Sequence, residues 1–187
     1  MKQIFYTILI ILFITSNLFA FEKKNVSKSD SCILIIGPNF QGTLFQENYI
    51  FDLSPNKSKR LTVKTQYYLE SLIKDTKIPW TPNVSDIYEF ESNFVKILKE
   101  YTTDDEYVNY HLPEIRKKIE KYRRQYIGFK DSNNHKHLWI QFFLDDTKIT
   151  KPDEDIIIIL GGGSALLLLI VDLEENKIEQ FWVNEPI

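Results

Sequence analysis

The 187-residue chain carries 23 Lys and Arg against 26 Asp and Glu, a formal net charge of −3. So mild a balance excludes an electrostatic nucleic-acid binder, which needs a dense basic surface. Cys32 is the one cysteine, which excludes an intramolecular disulfide, and the length suits a single domain with its own core.

In chain order, residues 1–20 read as a secretory signal. Lys2 gives a positive start, an apolar run spans Ile4 to Ile14, and "TSNLFA" ends on the small residue Ala20. The rival, an uncleaved anchor helix, has a short apolar run against it. Removing this segment takes one lysine and no acid, so the mature chain stays mildly acidic. Residues 21–31 read as a polar, disordered leader. Asn25, Asn56 and Asn83 begin N-x-S triplets that would matter only in a eukaryotic secretory route; a bacterial host is expected. Cys32 lies too far past the apolar run for a lipid anchor and opens "CILIIG", a buried strand.

"TLFQENYIFDL" continues as an extended segment and "SPNKSK" as a turn. "RLTVKTQYYLESLIKD" is ambiguous between strand and helix, and the structure of residues 43–80 is left open. A long amphipathic helix follows. Thr81 and Pro82 read as its cap and first turn, Asp86 adds charge near its N-terminus, and Val84, Ile87, Phe94, Leu98 and Tyr101 recur at helical spacing. "TTDDEYVNYHL" reads as a break, and "PEIRKKIEKYRR" as a shorter helix with Ile115, Ile119 and Tyr122 on one face. Its basic residues read as a solvated helix face.

From Gln125 the pattern is that of strands. "QYIGFK" and "KHLWIQFFLDD" flank the turn "DSNNH", "TKITKPDED" reads as a solvated loop, and "IEQFWVN" closes the chain. Between them "DIIIILGGGSALLLLIVDL" admits three readings. A membrane span needs about 18 unbroken apolar residues, and three glycines interrupt this run. A phosphate loop needs a lysine after its last glycine, which "GGGSA" lacks; "GPNFQGT" from Gly37 has Thr43 at that place. Two buried central strands about a glycine turn remain, with helices over one face and the N-terminal segments or a partner subunit over the other. The predicted fold is therefore α+β: a long and a shorter helix on an antiparallel sheet, closing in a four-strand C-terminal meander. Its general shape is cystatin-like or NTF2-like by analogy alone. The expected organisation is signal 1–20, leader 21–31 and one α+β domain over 32–187.

No complete catalytic or metal-binding set is legible. His135 and His137 would share a strand face but read as a solvated hairpin tip, since no Cys cluster or H-E-x-x-H accompanies them. Ser164 is outside any G-x-S-x-G elbow, and Cys32 reads as a buried structural thiol. No cofactor is implied.

"KYRRQYIGF" resembles an element of a family of short exported bacterial proteins of unknown function. That family carries a helix introduced by "TP" and an acid, then Y-[KR]-R-Q-Y-x-G, an aromatic strand, a D-G-G turn and an end near V-N-G-x-A. Thr81, Pro82, Asp86 and Glu91 match the helix; Tyr122, Arg123, Arg124, Gln125, Tyr126 and Gly128 match the motif; Gly162 and Gly163 match the turn; Val183 and Asn184 match the end. Gly161 stands where the family has Asp, and "NEPI" replaces the N-G-x-A end. The resemblance implies fold and export, and no activity.

Two groups of candidate residues follow. Tyr122, Arg124, Gln125, Tyr126 and Gly128 form a structural or binding corner, with Arg124 tied to Asp86, Glu89 or Glu91, Gln125 satisfying open backbone groups, and Gly128 admitting a bulge or a neighbour such as Trp139. Gly162, Gly163 and Ser164 form a candidate turn. The expected function is an exported, non-enzymatic binding or inhibitory module whose partner is an unknown protein or small ligand of the envelope. The alternatives are a small enzyme or ligand carrier with a concave sheet pocket, and a homodimer formed through the sheet face. No integral membrane span is expected once the signal is removed.

Overall fold

A computed structural model describes residues 23–24, 32–47, 49, 78–144, 152–157 and 162–184. The signal, the SPNKSK turn, the ambiguous stretch after it and Gly161 lie outside the described residues.

One sheet organises these residues. Its strands are β1 (Lys23–Lys24), β2 (Cys32–Ile36), β3 (Gln41–Phe45), β4 (Ile78–Pro79), β5 (Tyr122–Lys130), β6 (Lys136–Leu144), β7 (Leu166–Asp172) and β8 (Lys177–Val183). They run in the order β1-β2-β3-β5-β6-β7-β8, with β4 paired to β5. All neighbours are antiparallel except β3 and β5, which are parallel. The fold is thus α+β, with two long helices among the described residues packed on a mostly antiparallel sheet, and β5 to β8 form the C-terminal meander. Within the leader, Lys23 and Lys24 depart from expected disorder by pairing with Ile35 and Leu34 on the outer edge of β2.

Helix α1 (Val84–Glu100) begins two residues later than the Thr81–Pro82 reading. Asn83 is its N-cap, and the Asn83 backbone N–H donates to Asp86 Oδ2 at 2.8 Å. Thr81 instead accepts from the Glu47 backbone N–H at 3.0 Å, tying the chain after β3 to the start of the helix. Ile87, Phe90, Phe94 and Leu98 make the buried stripe. The expected break holds over 102–105 but is shorter than read, because helix α2 (Glu106–Lys118) starts within it and runs through Pro113. Asp105 caps it by accepting from the Val108 N–H at 3.0 Å, and Val108, Leu112 and Ile115 bury one continuous face across the proline. Arg116 donates to the carbonyls of Leu98 and Tyr101 at 3.1 and 2.8 Å, closing the C-terminus of α1. That arginine is not on a solvated face.

Strand alternation divides the sheet into two differently dressed faces. Tyr122, Tyr126, Leu138, Ile140, Phe142, Leu167, Leu169 and Val171 pack with the helix stripes in the main core. The opposite face carries Cys32, Phe45, Ile127, Phe129, Trp139 and Ile170, and Ile156 packs onto them from outside the sheet. The expectation of two central strands about the glycines is corrected here. Among the described residues of that stretch, the part after the glycines is a strand, β7, while Ile156 and Ile157 cross the face of the sheet outside any strand. Of the described N-terminal residues, β1 to β3 extend the sheet edge and Tyr49 packs on this face.

Gly128 also departs from expectation. Its pairing with Leu138 continues the β5–β6 register without a bulge, and Trp139 pairs with Ile127 instead. What crosses it is the lead-in to α1: a Cβ at Gly128 would lie 2.4 Å from the Trp80 carbonyl oxygen and 2.5 Å from Pro82 Cδ. Backbone cannot yield as a side-chain tip can, so Gly128→Ala should cost about 1–3 kcal/mol by overpacking. Chemical denaturation measures this; an unchanged or higher midpoint would show that the crossing is looser than described.

Candidate functional site

β5 begins at Tyr122, so the predicted corner is a strand start preceded by a 3-10 turn (Ile119–Lys121). Its side chains therefore alternate between the two faces, and the candidate residues separate into two constellations.

On the helix side, Arg124 is buried. Its Nε donates to Glu91 Oε1 at 3.1 Å, and Nη1 donates to the Tyr122 carbonyl. The guanidinium lies between the rings of Phe142 and Phe40, 5.3 and 5.7 Å from their centroids. The Tyr126 hydroxyl donates to the same Glu91 oxygen at 2.7 Å. Of the three carboxylates considered for Arg124, Glu91 is the partner. Burial pushes the Glu91 carboxyl above its ordinary range, and the charge of Arg124 and the hydrogen bonds from Tyr126 and Arg124 pull it back only in part. A raised folded pKa favours the protonated form. This contribution to stability is present below the unfolded carboxyl's pKa and lost as pH rises through the folded value. Burial, then the charge of Glu91, raises the Tyr126 phenol well above its usual range and keeps it a donor.

On the other face, Gln125 holds the segment 152–157 against the sheet. Its amide nitrogen donates to the Pro152 and Asp155 carbonyls, both at 2.8 Å, and its amide oxygen accepts from the Ile157 N–H at 2.9 Å. Gln141, directly opposite Gln125 in β6, donates to the Ile157 carbonyl at 2.7 Å. Arg123 and Thr43 both reach Asp153 Oδ1, at 2.6 and 2.9 Å. Gln125 thus satisfies open backbone groups, as read, but those of this segment. The "solvated loop" is corrected over 152–155, which with Ile156 and Ile157 forms a strap fastened by Gln125, Gln141, Arg123 and Thr43.

The candidate turn meets the corner directly. Gly162 and Gly163 adopt φ of 102° and 55°, conformations glycine reaches without strain, and lead into a 3-10 turn, Gly163–Ala165. The Ser164 carbonyl accepts from the Tyr122 hydroxyl at 2.5 Å. Cys32 lies beneath the strap. Burial pushes its thiol up to about 12, with Asp155, Asp153 and Glu154 acting in the same direction, so it is no nucleophile at neutral pH.

A third cluster, missed by the sequence reading, occupies the end of the sheet where the β5–β6 and β7–β8 turns lie together. His137 is corrected from solvated tip to buried residue: it is 4% exposed, and its ring stacks on Phe129 at 5.0 Å and 8°. Only His135 keeps a substantial exposed surface. Asp131 and Asp172 each use Oδ1 to accept two backbone N–H groups of their own turn, those of Asn133 and His135 and those of Glu174 and Glu175. Their other oxygens face histidines, Asp131 Oδ2 at 3.8 Å from His137 Nε2 and Asp172 Oδ2 at 3.9 Å from His135 Nδ1. A bulge in β8 opposite Ile170 and Val171 turns Glu179 toward the same point, 3.3 Å from His137 Nδ1.

Comparison with family models, with curated proteins and with solved structures returns no match for this chain.

The Arg124 environment makes a direct test. Arg124→Ala leaves Glu91 and Tyr126 without their cation in a dry site, which should cost on the order of 3 kcal/mol. Arg123→Ala breaks a pair nearer the surface and should cost about 1 kcal/mol or less. Thermal melts of the two variants should separate by several degrees; equal, small shifts would return Arg124 to the list of ligand contacts.

Proposed function

We propose that the protein is an exported, non-enzymatic binding or inhibitory module acting on a protein or small ligand of a bacterial envelope. The observation that carries this reading is the internal use of the polar groups a pocket would need. Arg124, Glu91 and Tyr126 bond to one another, and Gln125, Gln141 and Arg123 fasten the strap. A carrier or enzyme built on a concave sheet would turn these groups toward its ligand. Cys32, with its raised pKa, offers no activated nucleophile either. Export rests on the charged start, apolar run and small residue at position 20. No helix among the described residues is long and apolar enough to cross a membrane.

Recognition then falls to exposed aromatic surface. Trp182, on the terminal strand β8, is 44% exposed and Tyr110 on α2 is 80% exposed; these residue types dominate binding energetics at interfaces. Capture on the immobilised mature protein from its native envelope extract tests the reading. The expected result is a saturable partner whose retention falls at least about tenfold with Trp182→Ala or Tyr110→Ala, a loss typical of an aromatic anchor. Substrate turnover, or retention of a small molecule lost with Arg124→Ala, would overturn it in favour of a pocket.

A further inference from the structure

We propose that His137, Asp172 and Glu179 form a binding site for a divalent transition-metal ion such as zinc. One ligand atom from each lies within 4.8 Å of the others. The 3.3 Å between His137 Nδ1 and Glu179 Oε2 is close to the edge of a tetrahedron whose corners lie roughly 2.0–2.1 Å from a central zinc. Carboxylates gathered at turns are common, but His137 is not. It is 4% exposed, yet neither ring nitrogen makes a hydrogen bond among the described residues. An imidazole so buried ordinarily finds partners for its polar atoms. Here Nδ1 lies 3.3 Å from Glu179 Oε2, while Nε2 has the Asp131 carboxylate 3.8 Å away, a second carboxylate on the side of the ring opposite the ligating nitrogen.

The fold supports each ligand separately. The Phe129 stack holds the imidazole plane. The Asp172 carboxylate is held by two backbone N–H groups of its own turn, with a ligand oxygen within 4.8 Å of the other two. The β8 bulge aims Glu179. His137 and Glu179 already stand at the separation two zinc ligands need, and Asp172, whose ligand atom lies within 4.8 Å of theirs, closes the set with a modest side-chain adjustment. Three protein ligands leave a fourth position for water or for an atom of the bound partner. An imidazole among the donors selects zinc-like ions over calcium and magnesium, which take oxygen.

Calorimetric titration of the chelator-stripped protein with zinc chloride, and separately with calcium chloride, tests the site. The expected result is one zinc per chain, at least tenfold weaker binding in Glu179→Gln, no binding in His137→Phe, and little change in His135→Ala. Zinc should raise the melting temperature of the wild type and fail to raise that of Glu179→Gln, whose substituted residue is exposed and leaves the metal-free fold intact. No saturable zinc binding would overturn the proposal. So would binding indifferent to Glu179→Gln but lost in His135→Ala, or calcium binding in preference to zinc.

Discussion

The structure depends on one costly arrangement: a guanidinium and a carboxylate buried together between a helix and a sheet. Arg124 and Glu91 meet in a layer otherwise made of Phe40, Phe94, Phe142 and their aliphatic neighbours. Taking both charges out of water costs several kcal/mol each, and their attraction returns this only when the remaining lone pairs and protons are also satisfied. Tyr126 and the Tyr122 carbonyl supply that satisfaction. Burial still raises the Glu91 pKa, in keeping with a buried pair whose desolvation offsets most of its attraction and which adds little net stability. Its effect is on register. An apolar stripe can slide along a sheet by a turn at modest cost, whereas Glu91 can meet Arg124 and Tyr126 in one placement of α1 only.

Strand alternation carries that constraint to the other face. Because Arg124 and Tyr126 point to the helices, Arg123 and Gln125 must point away, and there they fasten the strap 152–157. The strap buries Ile156 over Trp139 and Phe129 and shields Cys32. One motif thereby secures both faces of the sheet, and Tyr122 adds the glycine turn through the Ser164 carbonyl. With its polar groups engaged in this way, the centre of the sheet is scaffold, and chemistry is left to the rim. There the two meander turns bring histidines and carboxylates together.

Much of this was legible in the sequence. Helical spacing gave α1, and the alternating aromatic runs gave β5 and β6. Position 91 falls four residues after Ile87 and three before Phe94, on the buried stripe, which distinguishes Glu91 from Asp86 and the exposed Glu89. The second helix starts before Pro113, where it was read to begin, because the apolar spacing of Val108, Leu112 and Ile115 runs through the proline. Ile156 and Ile157 misled because periodicity cannot tell a buried strand from an apolar strap. Loop composition likewise hid Asp153 and its partners, which are more than a hundred residues apart in the case of Thr43. His137 had a signal in its alternation with Trp139 and Phe143. The three-residue step from Ile178 to Phe181 marked the bulge that aims Glu179. Joining the two required the β6–β7–β8 register.

A double-mutant cycle between Arg124 and Glu91 tests the central claim most directly. Arg124→Met, Glu91→Leu and the double variant would be compared with the wild type by chemical denaturation at neutral pH. A buried pair that dictates register predicts a coupling of about 2 kcal/mol or more, with the double variant less damaged than either the sum of the singles or Arg124→Met alone. Additivity within about 0.5 kcal/mol would contradict it.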